Sequence, residues 1–206
     1  MTDELAVFEN LQTPGDIQSW LDSIPYSTDP VYRCPRSVMR DRRAHCFDGA
    51  VFASAAMERR GFPPTLVDLR AERDDDHVLA VFRVDGHWGA IAKSNFVGLR
   101  YRDPVFRTLR ELALSYFDGY FNLDRERSLR AVSVALNLNT VRGCDWRTED
   151  TAMDHIALRL DSIRHFPLMS AGMIQQLRMV DERSFRGHMY GTDPAGVVDP
   201  SKVDNR

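Results

Sequence analysis

The chain has 206 residues, 43% of them hydrophobic, and 27 Lys and Arg against 30 Asp and Glu leave a formal net charge of -3. That length and apolar share suit one domain spanning 1–206 with a core of its own, and the mixed charge offers no basic stripe for nucleic acid. No run of about 18 apolar residues occurs, so no membrane span is expected. Met1 to Asn10 lacks a basic region followed by an apolar stretch, so it does not read as a signal peptide, and the expected compartment is the cytoplasm. Three cysteines, Cys34, Cys46 and Cys144, make an odd count that suits free thiols better than a disulfide framework.

In chain order, Thr13-Pro14-Gly15-Asp16 followed by Ile17, Trp20, Leu21 and Ile24 predicts a short capped helix ended by Pro25. A polar connection to Val38 follows. Phe47, Ala50, Val51, Ala53 and Met57 recur at helical spacing and predict a long helix over Cys46 to Arg60, with Asp48 at its positive end and Gly61 just beyond. After Pro63-Pro64 the pattern becomes extended: Thr65 to Leu69, His77 to Val84 and His87 to Ala92 read as strands. Asp85-Gly86 is a two-residue hairpin signal. Leu99 to Arg102 is expected to add a strand, and Thr108 with Glu111 forms a capping box opening a helix through Tyr116 and Phe117. Leu129 to Leu136 reads as a strand; helices are expected around Met153 to Ile163 and over Ser170 to Val180. A loose tail is expected over 191–206. Helix first, then strands, then helices indicates an α+β fold.

The chemistry centres on Cys46. A thiol reacts as thiolate, and a helix N-terminus with a nearby imidazole lowers its pKa. Cys46 sits at the helix start, and His77, which opens a strand after Asp74-Asp75-Asp76, is the candidate base. With Asp85-Gly86 as the turn, paired positions sum to 171, so His77 lies opposite Ser94. A one-residue adjustment would bring Asn95 beside the imidazole. Asn95 is thus the first choice as orienting group. His45 and His87 read as surface or structural, and Cys34, His45, Cys46 and His77 match no zinc spacing. The run Arg40 to Arg43 reads as a solvated face or an anion anchor near the thiol. Tyr116, Phe117, Tyr120 and Phe121 are expected to pack on the sheet. No phosphate loop or dinucleotide fingerprint is present, so neither metal nor organic cofactor is implied.

The run Ala44-His45-Cys46-Phe47-Asp48-Gly49-Ala50, the turn Gly61-Phe62-Pro63-Pro64, and His77-Val-Leu-Ala-Val-Phe with the Trp88 strand resemble the transglutaminase-like superfamily of papain-like cysteine enzymes, in particular a bacterial group of transglutaminase-like proteins. The resemblance covers residues 35–125. It implies a nucleophile helix packed on an antiparallel sheet, with a core over about 35–140 and a helical extension over about 146–190. It also implies thiol attack on an amide or ester through an acyl-thioester, released to water (peptidase or amidase) or to an amine (acyltransferase). The family's aspartate, a few residues after the partner-strand tryptophan and followed by proline, is missing here; the resemblance makes Asp103 of Asp103-Pro104 the second choice as orienting group. The substrate would be a peptide, a protein or a small amide. The rival expectation is a non-catalytic module that keeps the fold and binds a peptide or protein in its cleft.

Overall fold

The computed structural model describes residues 7–203. The first six and last three residues, on which parts of the leader and tail expectations fall, lie outside the described residues. Helix α1 (Pro14–Asp22) starts where the sequence places it: Thr13 Oγ1 accepts from Asp16 N, and the Asp16 carboxylate accepts from Thr13 N. Its Ile17 and Leu21 are fully buried. Helix α2 (Pro35–Asp41) begins within the expected connection and runs past its end at Val38. Pro35 at its first position is a start signal, but seven residues with three charged side chains show no apolar period to detect. Helix α3 (Cys46–Glu58) agrees with expectation, and every residue from Phe47 to Met57 is buried.

One antiparallel sheet carries the rest. Its strands are β1 (Thr65–Ala71), β2 (His77–Val84), β3 (His87–Ile91), β4 (Arg102–Phe106), β5 (Leu129–Ser133), β6 (Leu136–Asn137) and β7 (His165–Pro167). The order is β4-β3-β2-β1-β5-β7, with β6 also paired to β1. Asp85 and Gly86 take φ of 48° and 80°, the mirror-image turn that a tight hairpin needs. The register runs from Val84–His87 to Ala80–Ile91, each pair summing to 171 as expected. There it stops. Gln18 of α1 takes the place of a further strand residue: its Oε1 accepts from Ala92 N and its Nε2 donates to Ala92 O, both at 3.0 Å.

Several expectations need correction. The fourth strand begins at Arg102, because Val97–Leu99 forms a 3-10 turn. The strand expected over 129–136 divides into β5 and β6. Helix α4 (Leu109–Leu114) uses the Thr108–Glu111 capping box but ends before the aromatic residues, which lie on and around the 3-10 turn Phe117–Gly119. Helix α5 (Thr151–Ser162) agrees; α6 (Ala171–Ile174) is one turn of the longer helix expected there, and α7 (Glu182–His188) was not foreseen. In the segment expected to be loose, a 3-10 turn spans Pro194–Gly196 and Pro200 is buried among the described residues.

The sheet separates two apolar clusters. On one face α1, α3 and α5 pack against Val78, Ala80 and Phe82; on the other, Leu79 and Val81 meet Leu112, Tyr116 and Tyr120. This is an α+β architecture with the Cys46 helix against the sheet. Lys93 joins the elements on the α3 side: its Nζ donates to Leu21 O at 2.8 Å and Ile24 O at 2.6 Å, closing the end of α1. Burial draws its pKa down to about 8. Gly49 makes room for it, since a Cβ there would lie 2.3 Å from Lys93 Cβ. Gly49→Ala is therefore expected to cost about 1–3 kcal/mol by overpacking. Urea denaturation checks this, and an unchanged midpoint would mean that α3 shifts freely away from Lys93.

Candidate functional site

Cys46 is the first residue of α3, and its neighbours fix it there. His45 is the N-cap: its Nδ1 accepts from Phe47 N at 3.2 Å, while the Asp48 carboxylate accepts from His45 N at 3.4 Å. Burial, helped by the Arg33 charge, holds the His45 imidazole neutral, down to about 4. The imidazole next to the thiol in sequence is thus occupied in capping, the structural role that its position suggests. Asp48 is completely buried, and its Oδ1 accepts from Arg33 N at 2.9 Å. The Arg33 guanidinium binds Asp29 at 2.6 Å, Asp41 and Ser27 Oγ at 3.0 Å, and stands 4.0 Å from Asp48. Burial still raises the Asp48 carboxyl to about 7.

The thiol sits in a cleft of about 990 Å³. Its Sγ lies 3.9 Å from Asp76 O. Burial pushes the thiol up to about 12; the N–H groups of Val78 and Phe47 work against that rise, and the Asp75 and Asp48 charges add to it. The group is a protonated thiol at neutral pH. Tyr26 lines the same cleft, and burial raises its own pKa.

A polar row continues from the thiol across the sheet. Asp68 pairs with Val78, the register places Ser133 beside Asp68, and Ser133 pairs with His165. Ser133 Oγ accepts from Asp68 N at 2.9 Å, and His165 Nε2 donates to Asp68 Oδ2 at 2.8 Å. Asp68 lines the cleft with Cys46, as do Tyr26, Asp75 and Asp76. Sequence reasoning missed Tyr26, Asp68 and His165. The only available signal was the isolated Asp68 within an apolar strand; its partner lies 97 residues away.

The sequence-predicted residues do not converge. Val78 faces α3, so its neighbour His77 points through the sheet to the other face. There its ring stands edge-on to Tyr116 and Tyr120, each at 6.4 Å between centroids, and Nε2 donates to Leu99 O at 2.8 Å. Burial, against the favourable Leu99 bond, brings this imidazole down to about 4. No hydrogen bond joins it to Cys46 among the described residues. Asn95 does not meet His77 either: its Nδ2 donates to Asp193 O and its Oδ1 accepts from Asp193 N, both at 2.9 Å. The ladder that would have aligned them ends at Ile91, where Gln18 intervenes. Asp103 is exposed on β4. Cys34 is buried and Cys144 partly so, and both are free thiols like Cys46.

No family model matches the chain, and no curated protein matches it in sequence. Among the described residues, no helix is long and apolar enough to cross a membrane, and no group of three His, Cys, Asp or Glu side chains could hold a metal ion.

Proposed function

We propose that the chain is a non-catalytic peptide- or protein-binding module built on a transglutaminase-like, papain-like arrangement, in which Cys46 lines the cleft without acting as a nucleophile. The observation that carries this reading is the orientation of His77. Its imidazole lies on the opposite face of the sheet from Cys46, bonded to Leu99 O and enclosed by two tyrosines. A cysteine nucleophile needs a base within hydrogen-bond reach to become a thiolate near neutral pH. Here burial keeps the thiol protonated and His77 neutral. The acyl-transfer reading would require the His77 strand to turn its alternation by one residue, which would move Leu79 and Val81 out of their cluster.

The test is a pH series of iodoacetamide alkylation, located by peptide mass spectrometry, on the parent chain and His77→Ala. Cys46 is expected to react no faster than Cys144 at pH 6, with no dependence on His77, since an unpaired thiol titrates near or above about 8.5. Fast alkylation of Cys46 at pH 6 that disappears in His77→Ala would sink the binding reading and restore acyl transfer.

A further inference from the structure

We infer that the Cys46 cleft is a peptide-binding groove and that the chain's own segment Asp193–Val203 is its present occupant, a strap held in place by Asn95. The inference rests on the binding reading above and names the ligand class for the same site: a peptide with a turn-forming Asp-Pro-small-Gly stretch followed by β-branched apolar residues. Three observations support it. Asn95 engages Asp193 through both main-chain groups, its amide copying the donor and acceptor pair of a neighbouring strand residue. That mode holds a backbone regardless of the side chain it carries.

Gly196 then passes so close to the wall that a Cβ would lie 2.8 Å from Asn95 Nδ2 and 3.1 Å from the Tyr26 ring. Tyr26 also lines the cleft with Cys46, so strap, wall and cysteine border one space. Finally, Val197, Val198 and Val203 line the cleft together with Cys46. The strap shapes itself for this course: Asp193 Oδ1 accepts from Ala195 N at 3.0 Å, and Pro194 opens the turn that delivers Gly196.

The experiment uses the full chain and two variants, Gly196→Val, which fills the close approach, and Asn95→Ala, which removes the anchor. Alkylation of Cys46 at pH 9 is compared with that of Cys144, which lies outside the cleft lining and serves as internal reference. Fluorescence anisotropy follows a labelled synthetic peptide of residues 191–202. Both variants are expected to speed Cys46 alkylation by roughly tenfold or more, the effect of two lost hydrogen bonds on a local opening equilibrium. The peptide should bind saturably to Gly196→Val, not to the parent chain, and not to Asn95→Ala. Circular dichroism of both variants establishes that they are folded. Unchanged alkylation in both folded variants, or no peptide binding to Gly196→Val, would overturn the inference. The His77→Ala series at pH 6 separates it from the binding reading, because His77-dependent alkylation there would defeat that reading while the strap is judged by these two variants alone.

Discussion

Arg33→Ala is expected to lower the unfolding free energy by about 3–5 kcal/mol, the range seen when one partner of a buried charge network is removed. The Arg33 side chain is only 9% exposed, and it serves Asp29, Asp41 and the fully buried Asp48 at once. Its loss leaves Asp48 with backbone donors alone and removes the cation beside it, at the point where α3 begins. For a chain of this length the melting temperature should fall by roughly 10 °C or more. Arg186→Ala is the control: Arg186 pairs with Glu182 on the surface with 79% of its side chain exposed, and such pairs contribute about 0–1 kcal/mol. Thermal denaturation of both variants decides the matter, and equal melting temperatures would refute the view of Arg33 as the hub that seats Cys46.

His77→Gln should change the pH dependence of stability more than its value at neutral pH. The folded state holds His77 at about 4 against an ordinary 6.5, so between those values the unfolded chain binds the proton and the folded one does not. Stability from this group is complete above pH 6.5 and is lost as pH falls toward 4. A gap of that size amounts to about 3 kcal/mol. His45 acts in the same direction, while Asp48 and Asp74, both raised to about 7 by burial, act in the opposite one. All three are common to parent and variant and cancel in the difference. Glutamine can still donate to Leu99 O, and it does not titrate. Urea denaturation at pH 7, 5.5 and 4.5 should show the parent losing stability relative to His77→Gln at each step; parallel curves would mean that His77 is already solvated in the folded state.

Much of the fold was legible because local chemistry announces itself. Thr13 with Asp16 and Thr108 with Glu111 mark helix starts, and Asp85-Gly86 sets a hairpin register that holds over five pairs. The site was less legible, and β2 shows why. Val78, Ala80 and Phe82 feed one apolar cluster and Leu79 and Val81 the other. A strand buried on both faces has no polar alternation to say which face α3 covers. The residue type and spacing of His77 therefore pointed to Cys46, while its parity carried it to the other side. The end of the hairpin ladder was equally hidden, because its next partner is a glutamine side chain 74 residues away in sequence. The Asp68–His165 pair depends on a three-residue strand, too short to show a period.

The two outermost strands, β4 and β7, each contain a proline, Pro104 and Pro167. A proline breaks the row of backbone donors along an edge, so each end of the sheet offers only a short, interrupted template to any foreign strand. The interior of this sheet is nearly continuous Val, Leu, Ala and Phe, the composition that stacks into fibrils when left open. The prolines thus guard both ends of the sheet against edge-to-edge growth.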